Sequence, residues 1–207
     1  MVDALVFLKA LVVGLSIAAP VGPIGLLTIQ RTLDRGFRMG LATGLGAAVA
    51  DGLYGTVGAL GITWLIGALT AARIPLALGG AALLLVLAWR TWRAPLSSTA
   101  ATTSATGVWT AFGTTILLTL GNPATIVSFI AVFGALAAGV SGPVSPATMI
   151  LGVFLGSAAW WLFLATSISV TRHRLGDAWR RRITVGSALV LAGFAVWQIV
   201  VAARALL

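Results

Sequence analysis

Six long apolar runs leave this chain few choices of solvent. They span roughly residues 4–30, 39–66, 74–92, 109–138, 146–171 and 183–203, and short loops separate them. Each is close to or above the roughly 20 apolar residues that cross a bilayer as a helix. Composition enters here as a second constraint. Only 8% of residues are charged against 59% hydrophobic, whereas a soluble domain carries about 25% charge. Such a chain cannot cover a water-exposed globule with polar surface. The expectation is an all-α membrane protein forming one domain over residues 1–207, with no polar block long enough to fold separately.

The charges orient the spans. Of the 207 residues, thirteen are Lys or Arg and four are acidic, for a net charge of +9. The basic residues gather in alternate loops. Arg31, Arg35 and Arg38 follow the first run, Arg90 and Arg93 the third, and Arg172, Arg174 and Arg180 to Arg182 the fifth. Basic loops stay on the cytoplasmic side, so loops one, three and five are expected in the cytoplasm and both termini outside it. This patterning accounts for the positive charge without a nucleic-acid partner. The chain has no cysteine and one histidine, His173. Thiolate and multi-histidine metal sites are therefore excluded, and no cofactor is expected. The N-terminal run lacks a basic leader and continues through residue 30, so it reads as a retained span.

Residues 94–108 are rich in Ser and Thr and have no apolar period. They read as a cytoplasmic linker joining a first half, 1–93, to a second, 109–207. Three spans in each half oblige the halves to enter the membrane in opposite directions. That parity allows two inverted three-helix repeats, a common transporter plan.

A matching interruption in each half supports the repeat. The first span contains Pro20-Val21-Gly22-Pro23, and the fourth contains Gly121-Asn122-Pro123. Proline removes a backbone donor and clashes with the preceding turn, so each run is expected to break there. Proline also suits the first position of a helix. If Pro23 and Pro123 start half-helices, two N-termini point inward from opposite faces. Each carries unpaired N–H groups and partial positive charge, suited to a carboxylate. The plain alternative is a kink whose freed carbonyl is met by a neighbouring hydroxyl.

Asp51 lies near the middle of the second run, about 18 Å from its cytoplasmic end at 1.5 Å per residue. An intramembrane carboxylate costs about 2.5–3.5 kcal/mol on insertion scales. It must face a cavity, pair, or take up a proton, and a group that exchanges protons as its neighbours change meets the requirement for proton coupling. A structural, hydrogen-bonded Asp is the alternative. Gly36, Gly40 and Gly44, with Gly52, Gly55, Gly58 and Gly61, form a ladder expected to pack helices closely, with a dimer face as its second reading. Trp64, Trp89, Trp92, Trp109 and Trp179 fit an interfacial belt. Trp160 and Trp161 are expected to face lipid, with a cavity wall as the second reading, and Ser157 and Gln198 to hydrogen-bond between helices.

The stretches G-P-I-G-L-L-T-I-Q-R-T-L-D-R-G-F-R-M-G-L-A-T-G-L-G-A-A-V-A-D-G-L-Y-G and L-L-T-L-G-N-P-A-T-I-V-S-F-I-A-V-F resemble the lysine exporter / homoserine–threonine exporter (LysE/RhtB) translocators. The resemblance implies a bacterial inner-membrane secondary exporter of amino acids or similar small metabolites. Such an exporter runs on the proton gradient and is often dimeric. It implies functional positions at Gly22, Pro23, Asp51, Asn122 and Pro123. Two features depart from the family pattern: P-V-G-P stands for the simpler P-G-P, and Ala124 follows Asn-Pro where the family often has Lys. The residues alone leave other readings open: an exporter of an inorganic ion, or a non-transporting membrane scaffold. A membrane enzyme is disfavoured, because no nucleophile–base pair accompanies Asp51.

Overall fold

A computed structural model describes residues 2–61, 63–93, 105–122, 125–126, 128–129, 132, 145–172 and 176–206. Every element among them is an α-helix: α1 Val2–Ala18, α2 Pro23–Arg35, α3 Phe37–Ala59, α4 Thr63–Ala71, α5 Arg73–Arg93, α6 Ala105–Leu120, α7 Pro146–Thr171 and α8 Asp177–Arg204. By length and apolarity, α5, α7 and residues 178–204 of α8 can each cross a membrane, and α1 with α2, bent by 77° at the break, makes a fourth candidate if the pair is one span. The glycines and Asp51 dilute the apolarity of α3, and α6 has 16 residues. α3 therefore falls short on composition and α6 on length. Pro123, His173, most of the 94–108 linker and the 137–144 part of the fourth loop lie outside the described residues.

The first break falls where the prolines demand it. Pro20 and Pro23 have no N–H to give to the preceding turn, and each pushes its predecessor out of helical geometry. The α1 ladder closes with Ala19 N–H donating to the Leu15 carbonyl at 2.9 Å. Gly22 is extended, and Pro23 is the first residue of α2. The other boundaries differ from expectation in two places. The second apolar run is not one helix: α3 stops at Ala59, Gly61 takes a positive φ of 60°, and α4 resumes at Thr63. The first basic loop is hardly a loop, because α2 continues through Arg31 to Arg35. It then turns into α3 at Gly36 alone, whose φ of 87° favours glycine.

Packing inverts the soluble plan. Leu8, Val12, Phe163, Val170, Leu189 and Val196 are exposed on the outside, while Thr28, Thr43, Thr115, Asp51, Ser157 and Gln198 are buried. In lipid, helices associate through close packing and interhelical hydrogen bonds, since apolar burial gives no advantage there. The main helix pairs are α1 with α7, α3 with α7, α5 with α8, and α3 with α6, and α2 runs between α3, α7 and α8. Glycines set the closest crossings. A Cβ at Gly152 would lie 2.6 Å from the Ala10 Cβ, one at Gly156 would overlap the Leu11 carbonyl oxygen, and one at Gly46 would overlap the Phe112 carbonyl oxygen. Within the expected glycine ladder, Gly40 packs on Thr32, Gly44 on Trp161 and Gly52 on Phe154, all inside the bundle.

Arginines gather at one end of the bundle. Arg180 Nη2 donates to the Leu33 carbonyl at 2.6 Å, holding the start of α8 against the end of α2. Thr91 Oγ1 donates to Gln30 Oε1 at 3.1 Å, tying the end of α5 to the same place.

Candidate functional site

The two breaks and the buried acid meet in one cavity of about 90 Å³. Its wall includes Gly22, Pro23, Ile24 and Gly25 from the start of α2, Asp51 from α3, and Asn122 and Thr125 from the second break. A water needs roughly 10–15 Å³ by this measure, so the space holds several waters or a small solute.

Local structure explains why the wall is polar. Leu26 N–H already bonds the Gly22 carbonyl, and Pro23 has no N–H. The donors left without an intrahelical partner are those of Ile24 and Gly25, and no side chain caps them at Gly22. Both residues line the cavity. The second break mirrors this arrangement. α6 ends at Leu120, Asn122 is non-helical, and its carbonyl accepts from Thr125 N–H at 3.0 Å and Ile126 N–H at 3.3 Å, opening a new helical turn.

Asp51 is 4% exposed. Its Oδ2 accepts from Ser157 Oγ at 2.7 Å, and Ser157 in turn accepts from Trp161 Nε1 at 3.1 Å. Ser157 and Trp161 sit four residues apart on one face of α7, so one helix supplies both links of the relay. Trp161 itself lines the cavity and is 4% exposed. The expectation that it faces lipid is therefore corrected: Gly44 leaves room for its ring between α3 and α7. Tyr54, one turn beyond Asp51, donates to the Leu120 carbonyl at 2.7 Å and stacks on Phe129. Leu120 ends α6, so the phenol satisfies a carbonyl at the second break while fixing that break against α3.

Among the residues expected to form the site, the structure brings Gly22, Pro23, Asp51 and Asn122 together. Pro123 lies outside the described residues. Sequence reasoning assigned no site role to Ser157, Tyr54, Thr125 or Thr119, which also lines the cavity, and gave Trp161 a cavity wall only as its second reading. The only available signal was the Ser157–Trp161 spacing in the middle of an apolar span. Among the described residues no three His, Cys, Asp or Glu side chains cluster as a metal site would require.

A cavity that brings a buried carboxylate to two helix breaks, inside a bundle with an apolar exterior, fits a polytopic membrane transport protein. The LysE type translocator family matches residues 15–201, and the chain belongs to that family. It is 30% identical over 200 residues to the chemotactic transduction protein ChpE of Pseudomonas aeruginosa, covering 92% of this chain and 95% of the relative. It is 27% identical over 197 residues to YcgF of Bacillus subtilis, a protein named for amino acid efflux, covering 91% and 93%. It is 28% identical over 176 residues to the membrane protein YahN of Escherichia coli, covering 84% and 78%. No solved structure shows significant similarity to the chain.

Proposed function

We propose that the chain is a secondary active exporter of amino acids or related small amphoteric metabolites, coupled to proton uptake, in the bacterial inner membrane. The observation that carries this reading is the single cavity shared by Asp51, the uncapped start of α2 and Asn122. The free N–H groups and positive end of α2 suit the solute carboxylate. Pro123 is assigned the same role from the other side. Asp51 takes the ammonium group and a proton in turn. Protonation removes the charge that holds the amine, so proton binding and solute binding exclude one another and proton uptake drives solute release. The family and the naming of YcgF support amino acids as the substrate class.

Alternating access requires two arrangements of similar energy, which an inverted repeat supplies. Exchanging α1 with α6, α3 with α7 and α5 with α8 carries the α1–α7 pair onto the α6–α3 pair. It maps α3–α7 and α5–α8 onto themselves, and all four are main packing pairs. Glycine-mediated close approaches occur at both members of the exchanged pair, at Gly156 and at Gly46. This supports six crossings in two inverted halves, with the arginine-bearing end in the cytoplasm and both termini outside.

The test is flux from proteoliposomes under an imposed pH gradient. Asp51→Asn, which keeps the side-chain volume, is expected to abolish gradient-driven amino-acid efflux while leaving the protein folded. Unchanged efflux would refute the coupling role. A second reading, a membrane component of a signalling assembly without transport, draws on the likeness to ChpE. Wild-type protein that moves no solute from a broad amino-acid panel would favour it.

A further inference from the structure

A second and larger cavity, about 510 Å³, opens at the arginine-bearing end between α2, α5 and α6. Its size falls within the 300–1,000 Å³ of small-molecule sites. The charges on its wall are Arg31, Arg35 and Arg90 against Asp34. Thr106, Thr110 and Thr114 of α6 add hydroxyls along one side.

Arg31 distinguishes this cavity from an ordinary basic membrane face. It lies inside the bundle, about 12 Å along α2 from Pro23 at 1.5 Å per residue. Its Nη1 is held by three neutral oxygens: Thr43 Oγ1 at 3.0 Å, the Ala111 carbonyl at 3.3 Å and Thr115 Oγ1 at 3.4 Å. Those bonds pin the guanidinium between α3 and α6 from one corner. No carboxylate is among these three partners. A guanidinium has five donors in a planar fork that matches a carboxylate, so Nη2 and Nε retain capacity for one. Ionisable groups within membrane spans are costly and mark solute paths.

The position along the path is also informative. Residues 23–25 of α2 line the Asp51 cavity, and Leu27, Gln30, Arg31, Asp34 and Arg35 line the larger one. Between them sits an apolar cluster in which Leu27 packs with Leu84 and Leu118. One helix thus carries two polar chambers separated by a thin apolar layer.

We infer that the Arg31 chamber is a second, cytoplasm-facing site that receives the carboxylate of the solute before it reaches Asp51, and that its arginines select against cationic amino acids. The inference rests on the exporter reading and deepens it: the favoured cargo is a neutral or acidic amino acid. The chemistry recognised is a carboxylate on a small solute. An anionic lipid headgroup would compete for the same arginines.

Binding in lipid nanodiscs tests this separately from transport. Protein carrying Asp51→Asn, in which the inner cavity has lost the group assigned to the ammonium, is titrated with L-glutamate, L-alanine and L-lysine, and the part of the binding that depends on Arg31 reports the cytoplasm-facing chamber. The expected order is glutamate, alanine, then lysine. Arg31→Gln added to that background should weaken glutamate at least tenfold, with Arg31→Lys recovering part of the loss. Where Arg31→Gln lowers the melting temperature enough to cloud the result, Arg90→Gln at the exposed rim should still weaken glutamate about threefold. Lysine binding as tightly as glutamate, or glutamate binding unchanged in the Arg31 or Arg90 variants, would overturn the inference. Glutamate binding lost when phosphatidylglycerol replaces phosphatidylcholine would assign the arginines to a lipid and also overturn it. None of these outcomes depends on pH-driven efflux, which tests the exporter reading itself.

Discussion

Replacing Gly156 with alanine should damage both the α1–α7 crossing and the Asp51 site beside it. A Cβ there would overlap the Leu11 carbonyl oxygen and lie 2.9 Å from Leu11 C and Leu15 N. Comfortable carbon contacts need about 3.5–4.0 Å. The obstructing atoms are backbone, so no side chain can rotate away and the helices must part by about 1 Å. Overpacking of this kind costs about 1–3 kcal/mol. For a chain of this length that is roughly 2–12 °C in melting temperature. The adjacent residue, Ser157, donates to Asp51 at 2.7 Å. Shifting it by the same amount would change that distance by up to about 1 Å, enough to break the bond. Thermal unfolding in detergent and efflux from proteoliposomes should therefore both fall. Gly186→Ala is the control, because a Cβ there meets nothing within 4 Å. If Gly156→Ala matches Gly186→Ala in stability and in flux, the close crossing does not position the site and the reasoning fails.

Ser157→Ala removes the donor to the buried Asp51 Oδ2 and is expected to cost about 1–3 kcal/mol in thermal unfolding. Efflux should be impaired and Ser157→Thr partly competent; wild-type flux in the alanine variant would count against the relay. Tyr54→Phe keeps the ring stacked on Phe129 but leaves the Leu120 carbonyl without its donor. A loss of about 1–3 kcal/mol is expected, measured as a lower melting temperature. Gln198 is 2% exposed and its Oε1 has no hydrogen-bond partner among the described residues. Gln198→Met, of similar volume, should leave the melting temperature unchanged or raise it; a marked fall would show that the amide is satisfied in the membrane. The chain has no cysteine, so single introduced thiols report topology cleanly. Ser97→Cys should react with an impermeant maleimide only from the cytoplasmic side and Ala205→Cys only from outside, and the reverse pattern would refute the orientation.

Much of this was legible from the residues. Pro20 and Pro23 point to the first break because they remove two donors three residues apart and each disfavours helical geometry in its predecessor. Asp51 stands out because a carboxylate in an apolar run must be accommodated by something. Other elements were not legible. The fate of Arg31 depends on α2 outlasting its apolar run, and nothing in a basic R-T-L-D-R segment separates a loop from a buried helical turn. Trp161 reads like any aromatic in a lipid-facing stretch until Gly44 of another helix opens a space for it.

The amino-acid order by itself determined the solvent, the helical class and the two interruptions, since these follow from local backbone chemistry and the cost of charge in lipid. Only the tertiary structure decided which polar groups share a cavity. That depends on helix rotations set by glycine crossings between residues more than a hundred positions apart, such as Asp51 and Ser157. Local propensity carries no information about such rotations, and packing fixes them.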